Sequence, residues 1–266
     1  MKVGVTALML PREWSFKEML ENVTADGYDA LELILHEDGW FSLQSSEREL
    51  KDLARQAQDA GVELVSVCPV TCGLPFNMMT NDASVREASI NTAVECMRVS
   101  AGAGIGTVLW ILGSLTPELY YDEAYENALG AMRKVATVAE DMGVKLAIEY
   151  VWNKFLLSPM EFAWFCDELD SPNVGYYFDA GNMVIQAYPE HWVRICGRRL
   201  MAVHFKDFKR EGYEWVALGE GDVNFPAVMA ELRKIGFDGA LVSEVEPHIA
   251  SYADTARAIK KIMAGG

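Results

Sequence analysis

Short apolar runs rich in β-branched residues alternate along this chain with longer segments whose apolar positions recur every three or four residues. The short runs fall at residues 3–8, 30–35, 63–68, 107–112, 145–151, 174–178, 201–205 and 240–245. Each is apolar over most of its length, as a parallel strand is when both its faces are covered. The longer segments carry helix punctuation. Ser15 precedes Phe16 with Glu18 three residues on, a capping box. Residues 83–103 form a regular helical pattern that ends at Gly104. Residues 122–142 place Leu129, Met132, Val135, Ala136 and Ala139 at helical spacing and stop at Gly143. Ser158 and Pro159 open a further helix with a cap and a first-turn proline. Asn224 and Pro226 open the seventh, which Gly236 closes, and residues 252–263 supply the eighth. Gly61, Gly143 and Gly236 each stand just before a strand, where glycine takes the left-handed conformation and releases the chain from its helix.

Strict alternation of strand and helix, eight times over, predicts one (β/α)₈ barrel spanning residues 1–266 as a single domain. The competing open doubly wound sheet usually carries a Gly-x-Gly-x-x-Gly turn after its first strand. Here that position reads Ala7-Leu8-Met9-Leu10-Pro11. A hydrophobic fraction of 51% with 23% charged residues describes a globular protein with a large core. No apolar run reaches the roughly 18 residues that a membrane span needs, so no membrane partner is expected. The first strand begins so early that a secretory signal is not expected either. The net charge of −16, from 23 basic and 39 acidic residues, disfavours nucleic acid, whose phosphates are bound by Lys and Arg. Cys68, Cys72, Cys96, Cys166 and Cys196 are odd in number and lack Cys-x-x-Cys spacing, which reads as reduced core thiols of a cytoplasmic protein. Cys68 and Cys72 sit around the end of the third strand, near a pocket, although a small buried hydrophobe is the simpler role.

Barrels of this kind place their chemistry at the C-terminal ends of strands. The last four strands each end in a metal-ligand type: Glu149, Asp179, His204 and Glu244. Three carboxylates and one imidazole suit a single Mn²⁺, Mg²⁺ or Co²⁺ that stays open to substrate oxygens. Without a cation, three carboxylates in one barrel mouth resist ionising together. A lone acid at a strand end is often mere surface polarity; four ligand types at matching heights are hard to obtain by accident. Glu246 lies two residues beyond Glu244 and shares its side of a strand. Glu244 is preferred because Glu246 precedes Pro247 and has entered the loop, where it is placed to orient a ligand.

The stretches Ile148-Glu149, Phe178-Asp179-Ala180-Gly181-Asn182, Val203-His204-Phe205-Lys206-Asp207, Gly219-Glu220-Gly221-Asp222-Val223-Asn224-Phe225 and Ser243-Glu244 carry a family resemblance. With the 73–86 stretch after the third strand, they make the chain resemble the xylose-isomerase-like sugar isomerase/epimerase superfamily. Within it, the ketose 3-epimerases and the pentulose- or hexulose-phosphate epimerases and isomerases are the nearest in pattern. The resemblance implies that Glu149, Asp179, His204 and Glu244 hold the divalent metal and that Glu149 and Glu244 do the acid–base work. One glutamate removes the proton beside a metal-polarised carbonyl to give a cis-enediolate, and the other returns a proton to the opposite face. A small ketose or ketose phosphate is the implied substrate and 3-epimerisation the leading reaction. Aldose–ketose isomerisation or an inosose-type dehydration would use the same site, and a non-enzymatic scaffold barrel is the reading outside catalysis. Metal-dependent DNA repair endonucleases share the barrel, but they bring more histidines for zinc than the four present here.

Arg210 stands six residues beyond His204, where many epimerases of the family place a substrate-binding arginine; a solvated loop arginine is the alternative. Asn182 takes a position where some relatives carry a histidine near substrate, and the asparagine form looks more like the sugar-phosphate branch. Phe155 replaces a glutamate that free-ketose epimerases often use to contact substrate, a departure that speaks against free-ketose specificity and implies a more apolar mouth. His36 at the end of the second strand and Trp110 in the fourth are candidates to line the pocket, whereas His191 and His248 receive no role. The Gly219 to Asp222 stretch lies where barrels often bind phosphate through backbone N–H groups. Glu220 and Asp222 oppose an anion there, and Lys206 and Lys209 are the cations placed to compensate on the substrate side. The balance reads slightly against a demanding phosphate site. Members of the family are often dimers or tetramers, and aromatic loop residues permit a homo-oligomer here.

Overall fold

In the computed structural model the described residues are 1–265 except Cys72, Leu74 and Pro75. Strands β1 (Lys2–Thr6), β2 (Ala30–His36), β3 (Glu63–Thr71), β4 (Thr107–Trp110), β5 (Lys145–Glu149), β6 (Val174–Asp179) and β7 (Leu200–Phe205) follow one another in sequence. A small antiparallel hairpin, β8 (Asp207–Lys209) and β9 (Glu214–Val216), precedes the last barrel strand, β10 (Ala240–Ser243). The eight barrel strands are parallel and close in the order β1-β10-β7-β6-β5-β4-β3-β2. Around them lie α1 (Phe16–Asp26), α2 (Glu47–Asp59), α3 (Ala83–Gly102), α4 (Tyr121–Met142), α5 (Pro159–Leu169), the single-turn α6 (Ala180–Val184), α7 (Pro189–Cys196), α8 (Phe225–Lys234) and α9 (Tyr252–Ala264). All eight expected strands are present, with ends shifted by a few residues. The hairpin and α6 are additions. Strands of three residues are too short to show a period, so the hairpin reads as loop in the sequence.

The caps form as their residues dictate. Ser15 and Glu18 make a full capping box on α1, and Ser158 accepts the Glu161 N–H at the start of α5. Gly61, Gly143 and Gly236 have φ of +73°, +66° and +75°, the left-handed values that let each helix end and its strand begin.

Side-chain alternation divides the strands between two layers. Val5, Leu33, Val67, Val108, Trp110, Ile148, Tyr176, Phe178, Val203 and Leu241 face outward and pack against the helices in one continuous core. Ile34, Cys68, Leu109, Ala147 and Tyr177 fill the barrel interior. Two irregularities tune the inner layer. Leu31 pairs with Leu64 but Glu32 pairs with Ser66, so Val65 is an extra residue that brings Ser66 beside Glu32. Likewise Tyr176 pairs with Leu200 but Tyr177 with Ala202, a one-residue shift that puts Asp179 level with His204. Cys68, Cys166 and Cys196 are free and buried, Cys96 is buried, and Cys72 lies outside the described residues. No helix among the described residues is long and apolar enough to cross a membrane.

Candidate metal centre

β5, β6, β7 and β10 bring their last inward side chains to one point. Glu149 closes β5, Asp179 closes β6, His204 is the penultimate residue of β7, and Glu244 follows β10 directly. One ligand atom from each lies within 4.8 Å of all the others. His204 Nδ1 is 3.4 Å from Glu149 Oε1, 3.6 Å from Glu244 Oε2 and 3.9 Å from Asp179 Oδ2. Glu244, with its side chain 17% exposed, is the most open of the four. All four residues expected as ligands are therefore brought together.

The charges at this point are poorly balanced by protein alone. Asp179 Oδ1 accepts the Asn182 N–H at 2.8 Å as the cap of α6, but Oδ2 is buried with no hydrogen-bond partner among the described residues. Lys206 Nζ stands 3.1 Å from that oxygen as an ion pair, out of line for a hydrogen bond. Burial pushes the Asp179 carboxyl up to about 7; the Lys206 ammonium opposes this shift and the Glu149 and Glu244 carboxylates add to it. Burial also acts to raise Glu244, yet Lys206 and then His204 outweigh it and hold that carboxyl below its ordinary value. A buried carboxylate oxygen without a donor, beside two more carboxylates and an imidazole nitrogen, fits a hard divalent cation.

Beneath the tetrad lies a residue that sequence reasoning missed. Glu32 Oε1 is 3.0 Å from His204 Nε2, while its Oε2 accepts from Ser66 Oγ at 2.7 Å and Tyr177 OH at 2.8 Å. The Tyr177 ring packs against the imidazole with centroids 4.4 Å apart. With Nε2–H given to Glu32, Nδ1 faces the three upper carboxylates, the orientation a metal ligand needs. Burial acts to lower His204, but Glu32 and then Glu149 hold it well above the ordinary histidine value. Burial acts to raise Glu32, and His204 outweighs it, so Glu32 stays below its own. The signal for Glu32 was a single acid in the middle of the apolar run Ala30 to Ile34, a place where an unpaired charge is almost never found.

The remaining expected residues divide. Asn182 Nδ2 donates to Tyr150 O at 3.2 Å and Glu149 Oε1 at 3.4 Å, so it fixes the Glu149 carboxylate. Lys206 stands beside the tetrad and donates to Glu244 Oε2 at 2.7 Å. Arg210 is drawn elsewhere: its Nε donates to Val184 O at 2.7 Å, and its guanidinium lies 5.6 Å over the Tyr188 ring. Trp110 points out of the barrel into the helix-facing layer, 4.6 Å from the Phe76 ring, because it shares the parity of Val108 and not of Leu109. Phe155 is buried against Tyr121 and Phe165 beneath its loop, so it does not make the mouth apolar. Glu246 pairs in solvent with His248 Nδ1 at 3.1 Å and orients none of the four ligands. His36 lines a cavity of about 420 Å³ over β1 and β2 with Arg12, Trp14, Ile34 and Trp40; none of the four ligands lines it.

The glycine loop proves to be internally satisfied. Asp207 is fully buried, and its Oδ2 accepts the N–H groups of Gly219 and Gly221 at 2.9 and 3.0 Å. Its Oδ1 accepts those of Phe208 and Val223 at 2.9 and 3.1 Å. A protein carboxylate thus takes the donors a phosphate would use. A Cβ at Gly221 would lie 2.3 Å from Asp207 Oδ1, so the close approach requires glycine.

The family model described as xylose isomerase-like TIM barrel matches residues 20–262. The chain belongs to that family. An uncharacterised protein of Methanocaldococcus jannaschii is 27% identical over 92% of this chain and 83% of its own length. The L-ribulose 3-epimerase of a Methylomonas species is 25% identical over 92% and 84%, and the L-ribulose-5-phosphate 3-epimerase of Salmonella paratyphi C is 24% identical over 91% and 86%. Among solved structures, a D-tagatose 3-epimerase-like protein superposes with a TM-score of 0.82 at 23% identity, covering 99% of this chain and 97% of the other. A D-psicose 3-epimerase crystallised with D-fructose gives 0.80 at 20% identity, with both chains covered in full. The structural likenesses establish the fold of this xylose isomerase-like barrel, and the named relatives are carbohydrate epimerases.

Proposed function

We propose that this chain is a divalent-metal-dependent ketose 3-epimerase acting on an unphosphorylated sugar. The convergence of Glu149, Asp179, His204 and Glu244 within 4.8 Å carries the reading. The relatives named as ketose and L-ribulose 3-epimerases support the substrate class. Asp207 in the 219–223 loop and Arg210 tied to Val184 O favour a free sugar over a phosphate ester.

Glu149, Asp179, His204 and Glu244 would hold the Mn²⁺, Mg²⁺ or Co²⁺ ion, whose charge would supply polarisation of the ketose carbonyl and acidify the neighbouring C–H. Glu149 and Glu244 stand at the two ends of the arc β5, β6, β7, β10, with Asp179 and His204 between them. A planar intermediate seated across that arc meets one carboxylate on each face. One glutamate takes the proton from carbon 3, leaving a cis-enediolate. The other delivers a proton to the same carbon from the opposite face, which inverts it. Asn182 steadies Glu149 and Lys206 steadies Glu244 during the exchange.

The test is a panel of free and phosphorylated ketoses incubated with Mn²⁺-loaded protein in D₂O and followed by NMR. One deuterium at carbon 3 of a free ketose and its epimer is expected. Label at carbon 1 or 2 of an aldose–ketose pair would replace the reading with an isomerase, and loss of water with a dehydratase. Failure of the purified protein to take up any divalent metal would leave a scaffold barrel.

A further inference from the structure

Lys206 follows His204 by two residues and so points to the same side of the chain. Its ammonium lies 2.7 Å from Glu244 Oε2 and 3.1 Å from Asp179 Oδ2, which are the ligand atoms those residues turn towards His204 Nδ1. Three features hold it there. The indole of Trp215, on β9, lies under the ammonium at 4.7 Å. Trp152 stacks on Trp215 with centroids 5.3 Å apart at 10°, and its Nε1 donates to Asn182 O at 3.0 Å, which ties the platform to α6. Gly181 makes room for the stem: a Cβ there would lie 2.6 Å from Lys206 Cγ and 2.9 Å from Trp215 Cζ3. A lysine fixed this firmly between two metal-ligand carboxylates is not positioned as a flexible substrate contact.

We infer that Lys206 is the built-in counter-ion of the metal centre: it keeps Asp179 and Glu244 in place before the metal arrives and weakens the grip on the divalent ion afterwards. The inference rests on the metal-dependent reading above. Buried carboxylates that share a site need a nearby cation to stay ionised and ordered. A fixed monocation meets that need without closing the site. The same charge repels an incoming dication at short range, where little water screens it. The centre is therefore preformed and its metal exchangeable, a compromise that a tetrad without the lysine would not make.

Metal-stripped wild type, Lys206→Met and Gly181→Ala are compared by Mn²⁺ calorimetry and by thermal unfolding with and without Mn²⁺. Lys206→Met is expected to bind Mn²⁺ at least about tenfold tighter. Its metal-free melting temperature falls, and the gap between metal-free and Mn²⁺-loaded melting widens. Gly181→Ala keeps the ammonium but pushes its stem aside, so it moves both readouts in the same direction by less. The assignment is overturned if wild type binds Mn²⁺ while Lys206→Met binds it equally or more weakly, or if the metal-free variant is as stable as wild type. Absence of Mn²⁺ binding by wild type would instead remove the metal reading itself.

Discussion

His204 has a carboxylate environment on each side of its ring, and the two differ in how fully their oxygens are satisfied. On the Nε2 side, Glu32 is buried without exposure, but both of its oxygens have partners: His204 on one, Ser66 and Tyr177 on the other. On the Nδ1 side, Glu149, Asp179 and Glu244 crowd together, and Asp179 Oδ2 has no hydrogen bond among the described residues. A buried carboxylate with a complete set of donors is finished structure. Three carboxylates with too few donors have the chemistry to hold a divalent cation. The lower group fixes the ring so that the upper group can use it.

Removing one acid–base group from the open side should have the largest effect. Glu149→Gln and Glu244→Gln each keep the side-chain volume and remove the ability to move a proton. Turnover is expected to fall about 10²–10⁴-fold in steady-state assays on the true ketose, with an unchanged circular dichroism spectrum. Near-full activity in either variant would end the two-glutamate mechanism and with it the contrast between the two sides.

Next comes the closed side. In Glu32→Gln the amide either offers its NH₂ to His204 Nε2, forcing the proton onto Nδ1, or turns its oxygen there without the charge that held the ring. Both outcomes weaken the Nδ1 ligand. Mn²⁺ affinity measured by calorimetry should drop about 10–100-fold, the usual cost of losing a carboxylate behind a metal-binding histidine. Unchanged affinity would show that Glu32 is packing alone.

These two sides were unequally visible in the sequence. The upper ligands end strands whose boundaries the apolar runs mark, so Glu149, Asp179, His204 and Glu244 could be placed at one height by counting alternations. Glu32 is mid-strand, and its partners Ser66 and Tyr177 sit on other strands with ordinary β-sheet composition. Only closure of the barrel, with Val65 inserted opposite Leu31 and Glu32, brings them together. Trp110 failed for a simpler reason. One residue of difference in where β4 is taken to face decides whether an indole points into the barrel or out of it. The 219–223 loop offered N–H donors in the sequence, but nothing there announced that Asp207, twelve residues earlier, would fold back to take them.

Within the closed side, Tyr177→Phe removes one of two donors to Glu32 Oε2 and leaves Ser66 in place. A loss of about 1 kcal/mol in urea unfolding is expected, as for one buried hydrogen bond to a charged group that retains another partner. Mn²⁺ affinity should change by less than in Glu32→Gln. If it falls as far, the tyrosine hydroxyl and not the carboxylate sets the imidazole.

The smallest effect on catalysis is expected at Arg210, which separates proximity to the mouth from membership of the site. Its spacing from His204 suits a substrate-binding arginine, but the guanidinium donates to Val184 O at 2.7 Å and its own N–H is held by Asp222 Oδ2 at 2.7 Å. A group committed to the C-terminal end of α6 would have to give up that carbonyl to reach a sugar. Arg210→Ala should therefore leave KM for a free ketose within about twofold while costing about 1 kcal/mol of stability through the lost bond to Val184. The opposite pattern, a KM raised at least tenfold (about 1.4 kcal/mol at the substrate) with unfolding unchanged, would return the arginine to the substrate. In that case the loop carrying β8 and β9 swings inward on binding, and the boundary of the open side must be drawn to include it.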